Sequence, residues 1–140
     1  MKLVIDTDVL AAALLGEEGT AALATAVLTG GHELLAPAHW KAELANVVWK
    51  AALSGRVAPG AIDEVLTLAA ALPITSVDVA ELWRGAVASA IEARHPAYDT
   101  LFIELAAREE TMVVTFDRAL RTRFPERALA PASLGVRGAT

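Results

Sequence analysis

Two short apolar runs, each ending close to an aspartate and followed at once by a helical pattern, constrain this chain more than any other feature. Residues 2–5 precede Asp6, and residues 112–115 end two positions before Asp117. A continuous apolar run of this length is typical of a strand that is covered on both faces, as in a parallel sheet between two layers of helices. The two runs therefore predict an α/β fold with buried parallel strands at its centre.

The rest of the chain alternates between weaker strand candidates and helical segments. Strands are predicted at 33–36, 74–77 and 128–130, and helices at 8–15, 19–28, 38–53, 59–71, 79–94, 97–109 and 118–124. No Ser-, Pro- or Gly-rich linker divides these segments, and no internal repeat occurs. We predict a single domain over residues 1–140, a three-layer α/β/α sandwich with a mainly parallel sheet, and a loosely held tail from about residue 131.

The composition limits the chemistry of any site. The chain has no Cys, which excludes disulfides, thiolate metal sites and Cys nucleophiles, so a metal must be held by oxygen or imidazole ligands. The net charge of −5 argues against a broad electrostatic grip on nucleic acid, because phosphates are contacted through Lys and Arg. Divalent cations bound at a cluster of acids would offset most of this charge.

The hydropathy of the chain bears on its partners and location. Hydrophobic residues make up 55% of the sequence, which favours a homodimer or a tight protein complex that covers apolar surface. The alternative, that Ala inflates this figure without creating adhesive patches, stays open. Asp6 and Asp8 interrupt the N-terminal apolar run, and no run of 18 apolar residues occurs. We therefore predict a cytoplasmic protein without a membrane segment.

Four acids are predicted to meet at one crevice. Asp6 and Asp117 each follow a central strand, and the carboxyl ends of parallel strands face the binding crevice of an open sheet. Asp99 lies in the first turn of a predicted helix, and Glu43 lies inside another, so that both can project into the same crevice. Such carboxylates repel one another by up to about 4 kcal/mol per close pair, which cations relieve. Hard oxygen ligands suit Mg²⁺ or Mn²⁺, the metals that cleave phosphodiesters in two-metal sites.

Each acid taken singly has a simpler explanation. Asp8 is a good N-cap for the first helix, Asp99 favours a helix N-terminus, Asp117 caps the next helix, and Glu43 is solvated. The joint occurrence of these acids in this order favours a site.

Four segments carry a resemblance to a known family. They read LVIDTDVL, AELANVVWK, HPAYDTLFIELAAR and MVVTFDRAL, and together they extend from Leu3 to Leu120. The chain is similar to PIN-domain ribonucleases, particularly the VapC-type toxins of toxin–antitoxin pairs. The resemblance implies a catalytic and metal-binding quartet of Asp6, Glu43, Asp99 and Asp117, with Asp6 and Asp99 as the most dependable ligands.

The resemblance implies further properties. Thr115 corresponds to a hydroxyl residue often found two positions before the last acid. Asp8 stands where the family commonly has Ser, Thr or Asn, so it either alters the metal preference or caps the helix. The activity implied is that of a Mg²⁺- or Mn²⁺-dependent endoribonuclease, the toxin of a type II module. Homodimerisation and inhibition by an antitoxin whose tail occupies the groove are implied as well.

Other polar residues have less specific patterns. Arg118, Arg121 and Arg123 follow Asp117 and are placed to contact phosphates of an RNA substrate, although a solvated helix face explains them equally well. The three histidines lack metal-ligand spacing with one another, so no chemistry is predicted for them.

Two rival functions remain open at this point. The sequence Asp6-Thr7-Asp8 after a first strand resembles haloacid-dehalogenase-like phosphatases, but that family requires a late catalytic Lys, and the last lysine here is Lys50. The second rival is a non-catalytic module, either an inactive PIN-like binding domain or a receiver-like domain that holds one Mg²⁺.

Overall fold

The computed structural model describes residues 1–138 of the chain. In that range the strands and helices follow one another in this order: β1 (Lys2–Ile5), α1 (Thr7–Leu15), α2 (Glu18–Leu28), β2 (Glu33–Pro37), α3 (Trp40–Leu53), α4 (Ile62–Ala70), β3 (Ile74–Val77), α5 (Trp83–Ala93), α6 (Ala97–Arg108), β4 (Val113–Val114), α7 (Arg118–Arg123), β5 (Ala128–Leu129) and α8 (Pro131–Gly138). Short 3₁₀ turns, Pro59–Ala61 and Val79–Glu81, precede α4 and α5.

The strands form one sheet in the order β3-β2-β1-β4-β5, and every pair is parallel. Parallel crossovers are right-handed, so the steps from β1 to β2 to β3 place α1 to α4 on one face of the sheet. The steps to β4 and β5 run the other way and place α5 to α7 on the opposite face. The contacts agree, since α1 packs on α2, α3 and α4, whereas α6 packs on α5 and on strands β1, β2 and β4. The predicted α/β fold is confirmed.

The central strands explain why the sheet needs two layers of helices. Leu3, Val4 and Ile5 of β1 are fully buried, as are Val113 and Val114 of β4. Because successive side chains of a strand point to opposite faces, both faces of these strands must be covered. Each buried aliphatic side chain contributes roughly 1.5 to 3 kcal/mol relative to its exposed state.

The strand order reverses between β1 and β4, and this reversal positions the site. After β1 the chain crosses to one face of the sheet, and after β4 it crosses to the other face. This divergence opens a crevice at the carboxyl ends of the two strands. Asp6 directly follows β1, and Asp117 lies three positions after β4. The two acids therefore belong to the same edge of the sheet.

Some boundaries differ from the sequence predictions. The helices predicted from residues 59 and 79 begin as 3₁₀ turns, and the second turn is capped by Asp78, whose carboxylate accepts a hydrogen bond of 2.9 Å from the backbone N of Ala80. No helix within residues 1–138 combines the length and the apolarity that a membrane span requires.

The segment after β5 is the main element that the sequence pattern did not predict. A helix, α8, occupies much of the stretch predicted as a loose tail, even though its sequence PASLGVRG contains two glycines, which are poor helix formers. Contact with α2 stabilises it, because Leu134 is buried beside Leu23 and Val27. Residues 139 and 140 of the predicted tail lie outside the described residues.

Candidate functional site

Five carboxylates line one crevice of about 300 Å³ at the carboxyl ends of β1 and β4. The structure thus brings the four predicted acids and Asp8 together from separate parts of the chain. The described side chains lining this crevice include no Lys or Arg; they are Asp6, Thr7, Asp8, Glu43, Asn46, Val47, Asp99 and Asp117. The crevice therefore presents concentrated negative charge.

Asp6 is the most buried of these acids, with 8% of its surface exposed. Its backbone N donates to the carbonyl of Val114 at 3.0 Å, which extends the pairing of β1 with β4 by one residue. Burial raises the pKa of Asp6 well above its ordinary value, the charge of Asp8 raises it further, and the hydrogen bond from Thr115 lowers it. The carboxylate would therefore gain from a nearby positive charge.

Asp8 lies in the first turn of α1 and is not its N-cap, so that the capping interpretation is wrong. The N-cap position belongs to Asp6. The Asp8 carboxylate accepts hydrogen bonds from the backbone N of Phe116, at 3.2 and 3.3 Å to its two oxygens. Burial raises the pKa of Asp8 to about 6, against a lowering by the hydrogen bonds from Phe116 and Thr115. Asp8 is thus part of the acidic crevice.

The hydroxyl of Thr115 links three acids at the end of β4. Its Oγ1 donates to Asp6 Oδ2 at 2.7 Å and lies 3.2 Å from Asp8 Oδ2, and it accepts from the backbone N of Asp117 at 2.9 Å. A hydroxyl carries a single proton, so the shorter contact with Asp6 is the stronger bond. Thr115 is fully buried, which holds this arrangement in place.

Glu43 and Asp99 are each held by a side chain near the start of a helix. Glu43 accepts a hydrogen bond of 2.8 Å from Thr7 Oγ1 and lies 3.4 Å from His39 Nε2. Burial raises the pKa of Glu43, the contacts with Thr7 and His39 lower it, and the charge of Asp99 raises it. Asp99 Oδ2 lies 2.7 Å from His95 Nε2. Two of the crevice carboxylates are therefore paired with a histidine.

The sequence predicts no chemistry for the histidines, yet the structure places two of them against crevice acids. The informative spacing is between each histidine and an acid, since His39 and His95 precede Glu43 and Asp99 by four residues. His39 and His95 stand at or just before the start of α3 and α6, and the four-residue separation brings each of them to an acid in the first turn. His39 also reaches the start of α6, with Nε2 3.2 Å from the carbonyl oxygen of Tyr98.

Asp117 combines a structural contact with its place in the crevice. Its Oδ1 accepts hydrogen bonds from the backbone N of Ala119 at 2.9 Å and of Leu120 at 3.3 Å, which makes it the N-cap of α7. The capping interpretation of Asp117 is confirmed. The same side chain lines the crevice, so the two interpretations are compatible.

Of the arginines after Asp117, Arg121 has a contact beside the crevice. Arg121 Nη1 donates to the carbonyl oxygen of Thr115 at 3.0 Å, which holds its side chain against the end of β4. Arg118 and Arg123 are exposed. The phosphate contacts predicted for these residues stay a prediction.

Asn46 and Thr7 also line the crevice, although the sequence does not single them out. Asn46 follows Glu43 by three residues on α3, a spacing that places both side chains on one face of the helix. Thr7 lies between the two acids of the first motif. Their oxygen and amide groups widen the set of polar groups available to a ligand.

The donor set suits a hard divalent cation. Within residues 1–138, no three acids or histidines already stand close enough together to hold one ion. Mg²⁺, however, usually binds through one or two carboxylates and completes its shell with water and substrate phosphate. Carboxylates that raise one another's pKa offer the charge and the hard oxygens that such an ion takes. The residues therefore fit a divalent cation.

Comparisons with known proteins agree with this geometry. The PIN domain family model matches residues 3–123. The crystal structure of PAE2754 from Pyrobaculum aerophilum is similar with a TM-score of 0.69, over 99% of this chain and 90% of that chain, at 22% sequence identity. At that identity the similarity concerns the fold alone. The search of curated proteins gives no match.

Proposed function

This chain belongs to the PIN domain family, whose members are generally nucleases, and we propose that it is a Mg²⁺- or Mn²⁺-dependent endoribonuclease. The observation that carries the proposal is the crevice of five carboxylates at the point where the strand order of the sheet reverses. Such a cluster is unfavourable on its own, because burial and repulsion by neighbouring acids raise the pKa values of Asp6, Asp8 and Glu43. Cations that relieve the repulsion also carry the chemistry of phosphodiester cleavage.

In this proposal Asp6 and Asp99 are the main metal ligands, supported by Glu43 and Asp117. A bound divalent cation lowers the pKa of water and neutralises charge that develops on the phosphate. The described chain contributes by orienting these carboxylates. Groups outside the ligand set, such as histidine partners of carboxylates, commonly orient ligands in this way.

The side chains in the crevice indicate water as the attacking group. The hydroxyls that touch the crevice acids are those of Thr7 and Thr115, and both donate their protons to carboxylates. Both threonines are buried, with 5% and 0% of their surface exposed, so neither hydroxyl is open to a substrate phosphate as a protein nucleophile would have to be. The chain therefore positions the substrate and the ligands, and hydrolysis needs no covalent intermediate.

Contact with the RNA backbone is proposed for Arg118 and Arg121. The guanidinium of Arg121 donates one hydrogen bond to Thr115 and has further N–H groups for a phosphate oxygen. Arg118 is exposed at the first position of α7, directly after Asp117. Arg121 is thus held against the end of β4, and Arg118 is adjacent in sequence to the crevice residue Asp117.

The rival enzymatic function is not favoured. A haloacid-dehalogenase-like phosphatase needs a catalytic Lys beside its aspartates, and none of the described crevice residues is a Lys. The family match is to PIN domains. The other alternative is a non-catalytic PIN domain, and the experiment must distinguish it from an active nuclease.

Removal of metal is the direct test. Purified protein is incubated with structured and with single-stranded RNA in Mg²⁺, in Mn²⁺ and in EDTA, and the products are separated on a gel. Cleavage is expected with either metal, none with EDTA, and recovery when metal is added back. Intact RNA in every metal-containing reaction would contradict the proposed activity and favour a binding module.

We further propose that the chain is the toxin of a type II toxin–antitoxin module and forms a homodimer. The four acidic motifs resemble those of VapC-type toxins, which supports the first part. Exposed apolar side chains support a covering partner, among them Leu53 (70%) on α3 and Trp83 (53%) and Ile91 (74%) on α5. Light scattering of the purified protein checks the dimer, and the mass of a single chain would contradict it.

A further inference from the structure

We propose that a second cavity, next to the acidic crevice, binds the nucleotide that adjoins the cleaved phosphodiester; this inference rests on the proposed ribonuclease function. The cavity measures about 280 Å³ and is lined in part by Leu15, Glu17, Arg56 and Phe116. Asp8 and Val47 line both this cavity and the crevice, so the two spaces adjoin. Small-molecule pockets measure from about 300 Å³ upward, so the size of this cavity suits one nucleotide.

Arg56 provides the positive charge for this nucleotide site. Of the described residues that line the two spaces, Arg56 alone is a Lys or Arg. An RNA strand that passes the five carboxylates needs a positive charge next to its negative phosphates. A guanidinium supplies that charge and binds a phosphate through paired hydrogen bonds. Arg56 is thus placed where an RNA strand leaves the acidic crevice.

The position of Arg56 is held by its backbone and its side chain. Gly55, two residues after the end of α3, has a φ of 79°, and the backbone N of Arg56 donates to the carbonyl of Ala51 at 2.9 Å. This is the arrangement of a Schellman motif, in which a glycine takes the left-handed conformation. Arg56 Nη2 donates to the carbonyl of Leu15 at 3.1 Å, while the other N–H groups of the guanidinium remain for a ligand.

Phe116 contributes an aromatic surface to the same cavity. Its side chain is half-buried, and its backbone N is bonded to the Asp8 carboxylate, which places the residue at the border of the two spaces. Unpaired bases of RNA are commonly bound by stacking on aromatic side chains. Arg56 and Phe116 together therefore match the phosphate and the base of one ribonucleotide. Glu17 is exposed at the rim, where solvent and salt screen its charge.

A purely structural explanation of Arg56 exists and makes a different prediction. Leu15 is the last residue of α1, and a cation bonded to the final carbonyls of a helix stabilises its C-terminus. This role alone predicts that Arg56→Gln lowers the melting temperature and leaves RNA binding unchanged. The salt dependence of RNA binding distinguishes the two roles, because it counts phosphate contacts.

The test measures binding of a fluorescein-labelled single-stranded RNA oligonucleotide of mixed sequence, by anisotropy in Ca²⁺ buffer over a series of salt concentrations. A gel confirms that the RNA stays intact. Arg56→Gln is expected to weaken binding roughly fivefold at about 0.1 M salt and to reduce the slope of log affinity against log salt by about 0.7. Arg84→Gln, which makes the same charge change at an exposed position on α5, is the matched control and should leave the slope unchanged.

Phe116→Leu tests the base contact separately. It keeps apolar packing but removes the ring, so affinity should fall by roughly fivefold or more with an unchanged salt slope. Unchanged affinity in this variant would overturn the base contact. If Arg56→Gln binds like Arg84→Gln, the nucleotide site is wrong, while metal-dependent cleavage by the wild type still supports the proposed function. Failure of the wild type to bind or cleave any RNA would overturn both.

Discussion

Asp6→Asn is expected to abolish metal-dependent RNA cleavage while raising the thermal stability of the metal-free protein. Loss of a partner outside the ligand set typically costs about 10- to 100-fold, so loss of the ligand itself should reduce kcat/KM by at least about 100-fold. Stability should rise because the pKa of Asp6 is raised by burial and by the charge of Asp8. A neutral amide removes that repulsion and can still accept the hydrogen bond from Thr115.

This prediction is specific because the same variant should lose cleavage activity and gain thermal stability. Cleavage is followed with labelled RNA in Mn²⁺, and the melting temperature is followed by circular dichroism in EDTA near pH 8. Glu64→Gln, an exposed acid on α4, is the matched control and should change neither quantity. Retained cleavage would remove Asp6 from the site, and a clear fall in the melting temperature would show that the carboxylate is needed for the fold.

The second large effect is a pH dependence of stability that comes from Asp8. Its pKa is about 6 in the folded chain against an ordinary value of 3.8. A raised carboxyl pKa means that the folded state binds the proton more tightly, so stability is lost as the pH rises from about 4 to about 6. At about pH 8 the ionised Asp8 should lower the free energy of unfolding by roughly 3 kcal/mol, since one pKa unit corresponds to about 1.4 kcal/mol.

Asp8→Asn should therefore stabilise the metal-free protein by about this amount at pH 8 and have little effect below about pH 4, where the carboxyl is protonated in both states. Urea denaturation in EDTA at several pH values measures the difference between variant and wild type. A difference that is independent of pH would show that the Asp8 carboxyl does not carry the effect. Added Mn²⁺ should reduce the gain, because a bound cation stabilises the ionised acids of the wild type.

The two central strands and the acids beside them could be predicted from sequence because their signals are local. A buried parallel strand needs apolar side chains on both faces, so β1 is legible as an apolar run that ends at Asp6. The chain leaves every parallel strand at the same edge of the sheet, and this places Asp117 near Asp6 once the strands are known. The α/β class and the shared crevice follow from these patterns.

Contacts within the site depended on the tertiary structure. Asp8 is bonded to the backbone of Phe116, more than one hundred residues away in the chain, and no local pattern distinguishes that role from a helix cap. The same holds for Arg56, whose side chain meets the end of α1 only because α3 packs on α1. Helix α8 forms against α2 despite its glycines, since packing outweighs weak propensity. Periodicity and residue type determine which elements form and where the acids fall along them. The partner of each polar side chain is determined by long-range packing, which alone decides the distances between groups that are remote in sequence.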